Sequence, residues 1–312
     1  MAVKIRDFEV RLARNAAERK LVRRLRWDCF IIEEGMPPSS EMAKVKEEWD
    51  DFDAEADYMA VFHKDKVVGT YRIIDRDAAA KTGFYTATEF DIAKIVRRKG
   101  NIMEMSRACV DQNYRDNPLV LSMLWLGLAE YIQRRKIQLV FGVVSFFGSM
   151  NPATYAQAIS YIYYNRLAPP SLRATVAYDK MDPNVNPKLT RKNILPKVFV
   201  DKDLAFKQMP PLMKGYMRLG GIFGNGICII PTEGCLDLFV MIQTKNISKE
   251  YQRRFTGKEN AFDNLALKDT PMQKINKLLM LPFKGVFLPI KAIAELFLTD
   301  EYLQEAEMTD EN

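Results

Sequence analysis

The chain has 312 residues, which at roughly 150 residues per domain allows one large domain or two small ones. Apolar residues make up 48% and charged residues 28%, so a packed core is expected and a mainly disordered chain is excluded. The net charge is +6, from 46 basic against 40 acidic residues. That excess is too slight for a nucleic-acid binder, but it favours an acidic protein partner or an anionic membrane. The single histidine, His63, all but excludes a histidine-based triad or a multi-histidine metal site, and no metal is expected. Cys29, Cys109, Cys228 and Cys235 form no C-x-x-C pair and read as buried, reduced thiols. The first residues carry no apolar signal core. The most apolar stretch, Leu278 to Leu298, is broken by Pro282, Lys284, Pro289, Lys291 and Glu295, so it cannot supply the ~20 apolar residues of a membrane span. A cytoplasmic protein is expected.

In chain order, Phe8 to Leu12 reads as a short strand. Asn15 then caps a helix with Glu18 at the capping-box position and Leu21, Val22, Leu25 and Cys29 on one face. An acidic loop ends in Glu47-Glu48-Trp49-Asp50-Asp51-Phe52-Asp53. Tyr58 to His63 and Val67 to Asp75 read as strands joined by a tight turn, and Ile102 to Val110 as a third. Asn117-Pro118 opens a helix running to Arg135. Leu139 to Phe146 is an apolar strand, Thr154 to Asn165 a second helix, and Leu236 to Thr244 a last strand. This order predicts an α/β or α+β fold with a mixed sheet flanked by helices. The catalytic fold is expected over 1–256. Residues 257–312, where Lys274, Lys277, Lys284 and Lys291 punctuate apolar residues before an acidic tail, read as a C-terminal helical appendage.

Charges stand inside strands that should otherwise be apolar: Arg72 in one, Glu104 and Arg107 in another. Such a charge is costly unless paired or used. Strict alternation sends Glu104 and Ser106 to one face and Arg107 to the other, so Glu104 and Arg107 share a cleft only if a bulge intervenes.

Arg26-Trp-Asp-Cys-Phe30, Asp50-Asp-Phe-Asp53, Gly69-Thr-Tyr-Arg72 and Glu104-Met-Ser-Arg107 together resemble the acyl-homoserine-lactone synthases. Gly83-Phe-Tyr-Thr-Ala-Thr-Glu-Phe-Asp91, Cys109-Val-Asp-Gln-Asn-Tyr-Arg115, Phe141-Gly-Val-Val-Ser-Phe146 and the Pro210 to Gly220 block are more similar to the ornithine–acyl-carrier-protein N-acyltransferases of ornithine-lipid synthesis. Both families belong to the Gcn5-related N-acetyltransferases, whose splayed mixed sheet the resemblance therefore implies. It also implies transfer of a (3-hydroxy)fatty acyl group from a thioester to the α-amino group of an amino acid, ornithine first among the acceptors. An acyl-homoserine-lactone synthase, an acetyl-CoA-dependent enzyme and a non-catalytic lipid-binding protein are the alternatives.

By this resemblance Glu104 is the proton acceptor, its pKa raised by burial. Arg26, Phe30, Asp50, Asp53, Arg72, Ser106 and Arg107 bind substrate. Arg72 or Arg107 would grip the acceptor's carboxylate, backbone N–H groups where the strand opens would serve the oxyanion, and Asp50, Asp51 and Asp53 would face the ornithine ammonium. Phe30, Trp27 and Trp125 would line an acyl channel. Two departures stand out. The expected glycine-rich phosphate cradle is replaced by Asp111-Gln-Asn-Tyr-Arg-Asp-Asn117, which suits the single phosphate of an acyl carrier protein's phosphopantetheine, with Arg115 supplying charge. Ile229 to Cys235 lacks the acidic or aromatic pattern expected there, which leaves the acceptor open. Lys188, Arg191, Lys192 and Lys197 would meet an acidic carrier, no cofactor would be tightly held, and Met272 to Leu298 would lie on an anionic membrane.

Overall fold

The computed structural model describes residues 2–177 and 194–267. Its strands are β1 (Ala2–Ile5), β2 (Phe8–Leu12), β3 (Asp57–His63), β4 (Lys66–Asp75), β5 (Phe90–Asp91), β6 (Ile102–Val110), β7 (Leu139–Phe147), β8 (Thr175–Val176), β9 (Ile222–Phe223), β10 (Cys228–Ile230) and β11 (Cys235–Gln243). Its α-helices are α1 (Ala16–Arg26), α2 (Ser40–Val45), α3 (Arg76–Thr82), α4 (Ala93–Val96), α5 (Pro118–Arg135), α6 (Ala156–Asn165), α7 (Lys202–Gln208), α8 (Pro211–Arg218) and α9 (Lys249–Thr256). The principal sheet runs β1-β2-β3-β4-β6-β7-β11-β10, with β9 also on β11, and β5 pairs with β8 apart from it. Among the described residues β6–β7 is the one parallel pair of named strands, because α5 carries the chain across between them.

Period-two alternation gives the sheet two unlike faces. Tyr71, Ile73, Met103, Met105, Val140 and Val144 enter one apolar core with Val120, Met123, Leu124 and Leu128 of α5. The opposite face carries Arg72, Glu104 and Ser106 beneath α1 and the acidic loop, all three buried. The core follows from sequence, and so does the charged face.

The elements fall within a few residues of expectation, with physical reasons for the differences. Asn15 caps α1, its Oδ1 accepting from the Glu18 N–H at 3.0 Å. Glu18 does not close the box onto Asn15: its carboxylate accepts from the Arg14 N–H at 2.7 Å and pairs with Arg11. The helix expected from Thr154 begins as a 3-10 turn, Pro152–Tyr155, and turns α-helical at Ala156. The compact unit extends to Ala266, with Phe262 and Leu265 buried in its core, so residues 257–266 belong with the sheet. The appendage expected beyond them, including Met272 to Leu298, lies outside the described residues, as do Lys188, Arg191 and Lys192. Among the described residues no helix is long and apolar enough to cross a membrane.

Candidate active site

β6 and β7 pair only where Ile102–Glu104 meets Leu139–Phe141, and then diverge. Gly142 stands at the fork, where an added Cβ would lie 2.3 Å from the Met105 carbonyl oxygen, so the strands can meet there only with glycine. Beyond the fork β7 stays paired with β11, and the opening between β6 and β7 is a cleft of about 170 Å³. Phe30, Ser106, Arg107, Ser145, Glu233 and Asp237 are among its lining residues. On the β7 side, β6 past Glu104 has no ladder partner among the described residues, and Met105 to Ala108 line the cleft there.

The bulge required by alternation is present. Thr70 pairs with Cys109 but Arg72 with Ser106, so Tyr71 opposes two residues, Arg107 and Ala108. Arg107 adopts φ 48°, the left-handed conformation that a bulge of this kind needs. The extra residue turns Arg107 to the side of Glu104 and Ser106, where it reaches Glu48 at 3.3 Å and Asp50 at 3.4 Å.

The acidic loop folds onto these arginines. Arg26, fully buried, donates to both oxygens of Asp53 at 2.8 and 2.9 Å and also to Glu48. Arg72 donates from Nε to Ser106 Oγ at 2.9 Å, and from Nη1 to Asp53 at 3.2 Å and to Asp50. Burial opposes the Arg26 charge, but Glu48 and Asp53 outweigh it and hold the guanidinium protonated. Burial likewise opposes ionisation of Asp53, and Arg26 and Arg72 overcome it, holding the carboxyl well below its usual range. Asp50 and Asp53 are therefore taken up by arginines, and exposed Asp51 stands outside the network, so the expected counter-charge for an ammonium does not lie free in this loop.

Glu104 is fully buried, and its Oε2 accepts from the Thr86 N–H at 2.8 Å. Burial pushes its pKa up, offset partly by Thr86 and Arg72. Among the buried atoms here without a hydrogen-bond partner among the described residues are Oε1 of Glu104, an acceptor, and Nη2 of Arg72, a donor. A ligand that both donates and accepts satisfies the two together, and the α-ammonium and α-carboxylate of an amino acid are such a combination.

A second set of acids, not singled out in sequence, stands at the β11 side: Glu233 and Asp237 on the cleft wall, with Glu89 beside them. Tyr85 joins the two groups, its hydroxyl 3.5 Å from Glu233 and its ring under the Arg107 guanidinium at 4.9 Å. Asp237 was detectable, as the one acid in the otherwise apolar run Cys235–Gln243.

The other expected residues separate. Phe30, on the π-helical turn Trp27–Glu33 that extends α1, reaches the cleft. Trp125 packs in the core with Tyr71, Tyr216 and Phe255, and Trp27 is buried. Arg115 is half-exposed, donating to the Val110 carbonyl at 3.0 Å and paired with Glu33.

A parallel strand pair forced apart over a buried carboxylate and backed by one long helix defines an acyltransferase of the Gcn5-related class. In agreement, residues 25–126 match the acetyltransferase (GNAT) domain family. The chain is 32% identical over 270 residues to an L-ornithine Nα-acyltransferase of Brucella abortus, covering 83% of this chain and 92% of the relative. The corresponding protein of Agrobacterium fabrum is 32% identical over 267 residues, covering 81% and 87%. The chain belongs to this L-ornithine Nα-acyltransferase family. Among solved structures, FeeM, an N-acyl amino acid synthase from uncultured soil microbes, aligns with TM-score 0.43 at 11% identity over 76% of this chain and 92% of its own.

Proposed function

We propose that this enzyme acylates the α-amino group of L-ornithine, giving a lyso-ornithine lipid, with Glu104 as the proton acceptor. The observation that carries the reading is that Glu104 Oε1 and Arg72 Nη2, diagonal neighbours on one face of the β4–β6 ladder, are both without a hydrogen-bond partner among the described residues. An α-amino acid matches it, with nitrogen on Glu104 and carboxylate on Arg72 and Arg107. Kinship with the ornithine acyltransferases supports ornithine as that amino acid. Glu104 first takes one proton from the bound α-ammonium, which frees the lone pair to bond to the thioester carbon. The oxyanion accepts from β6 N–H groups, the C–S bond breaks as the nitrogen's second proton passes to the leaving thiolate, and Glu104 gives its proton to solvent.

For the donor, we infer an acyl group on a carrier protein's phosphopantetheine. Asp111 and Asn117 use their side chains to satisfy the N–H groups of Asn113 and Leu119, so the loop before α5 offers a pyrophosphate no nest of free N–H groups. Exposed Lys197, with Lys188, Arg191 and Lys192 of the sequence, supports contact with an acidic carrier, and the basic apolar residues 272–298 support peripheral contact with anionic lipid.

The test pairs acyl-carrier-protein and acyl-CoA donors of one chain length with ornithine, lysine, glycine and glutamine, and identifies products by mass spectrometry. Nα-acylornithine from the carrier-bound donor, at a rate that falls steeply with salt, is expected. Equal, salt-independent kcat/KM for acyl-CoA would overturn the donor, and absence of acylornithine the acceptor.

A further inference from the structure

We propose that Glu89, Asp237 and Glu233 form the pocket for the acceptor's side-chain ammonium, selecting a diamino acid over the analogue that lacks that nitrogen; this rests on the ornithine reading above. The two acidic groups of the site differ in a telling way. Glu48, Asp50 and Asp53 are each paired with a buried arginine. The β11-side acids have only one long ion pair among them within the described residues. Glu89 is 4% exposed, and neither of its carboxylate oxygens has a hydrogen-bond partner among the described residues. Asp237, 1% exposed, has no ion pair among the described residues; its polar neighbours are the Cys235 thiol at 3.5 Å, Ser145 and Glu89, none of them a cation. Glu233 has a single, distant cation, Arg107 at 3.9 Å. Three buried or half-buried carboxylates around one remote guanidinium lack positive charge, and such groups are costly to bury without a partner.

The groups do not converge as a metal site does, since among the described residues no three acids, cysteines or histidines are so arranged. An organic cation, which takes hydrogen bonds one at a time from separate oxygens, fits where a metal does not.

Position ties the pocket to the reaction. Thr86 and Glu89 lie three residues apart on one short segment, and the Thr86 N–H is what holds Glu104. Arg107 stands between the two acid groups, 3.4 Å from Asp50 and 3.9 Å from Glu233. An amino acid whose carboxylate rests on the arginines and whose α-nitrogen faces Glu104 can extend its side chain along the cleft to the β11 wall.

The arrangement also settles which nitrogen reacts. A nitrogen among carboxylates keeps its proton and has no lone pair to give, whereas the α-nitrogen can pass its proton to Glu104. In the empty site, burial and the mutual repulsion of the acids push the Glu89 and Asp237 carboxyls up, so a cation entering the pocket displaces a proton. A purely structural alternative has Glu89 and Asp237 share a proton as a buried acid pair, with no bearing on selectivity.

The experiment compares kcat/KM for ornithine and for norvaline, which lacks only the δ-amino group, in the full-length enzyme and in Glu89→Gln, Asp237→Asn and Glu233→Gln. The ornithine-to-norvaline ratio should fall roughly 10- to 100-fold, the range of one hydrogen bond to a charged group. The ratio is internal to each variant, so a fraction of misfolded protein cancels, and Glu233 at the rim supplies a variant that tolerates change. An unchanged ratio in all three variants overturns the pocket. So does an unaltered enzyme that acylates norvaline as well as ornithine, while one that acylates neither overturns the underlying reading as well.

Discussion

Arg72 and Ser106 face each other across the β4–β6 ladder, and the guanidinium Nε of one donates to the hydroxyl of the other at 2.9 Å. This contact fixes the arginine immediately before the bulge that swings Arg107 to the same side. Alternation places Glu104 and Ser106 on one face of β6, and the one irregularity in the strand adds Arg107 to that side, Ser106 and Arg107 lining the cleft itself.

Arg107→Gly separates the arginine's geometry from its charge. Glycine accepts φ 48° without strain, and Glu48 and Asp50 keep Arg26 and Arg72 as partners. The KM for ornithine should rise roughly 10- to 100-fold, with kcat moved less and the thermal midpoint held within a few degrees. Steady-state kinetics that leave KM unchanged would make Arg107 a structural residue.

Asp53 joins two buried guanidiniums, so Asp53→Asn leaves positive charge uncompensated. A loss of about 3–5 kcal/mol is expected in denaturant unfolding. The sign with pH follows from its depressed pKa. The stabilisation is complete above the usual carboxylate range and disappears as pH falls through the lower folded value. The gap between variant and parent should therefore narrow in acid, and a gap that widens there would contradict the pairing.

Glu104 shifts the other way. Its carboxyl must be ionised to accept a proton, and burial raises its pKa above the ordinary 4.5. As pH falls through that raised value, kcat/KM, which reports groups in the free enzyme, should decline. An acid limb at or below 4.5 would contradict a buried, unpaired Oε1.

Much of this site is legible in the sequence because charges in apolar strands are conspicuous. Arg72, Glu104 and Arg107 stand out for that reason, and the alternation of β6 makes a bulge the condition for Glu104 and Arg107 to share a face. The partners of Asp50 and Asp53 are less legible: three arginines from α1, β4 and β6 compete for them, and composition cannot say which prevails. Glu89 and Glu233 are hidden differently. They lie in short loops, and the Tyr85–Glu233 contact that joins those loops spans 148 positions. Strands β5, β8 and β9 have two residues each, too few for any alternation to show.

The central claim is that Glu104 takes the proton of the attacking amine, and Glu104→Gln tests it most directly. Glutamine preserves shape and can still accept from the Thr86 N–H through its carbonyl oxygen, so the fold should be retained. The measurement is the rate of Nα-acylornithine formation by the purified variant under saturating donor and acceptor, alongside its thermal midpoint. A well-placed base is worth roughly 10²–10⁴ in rate, so a folded protein with a loss in that range is predicted. A folded Glu104→Gln enzyme that keeps more than about a tenth of the normal rate would contradict the account.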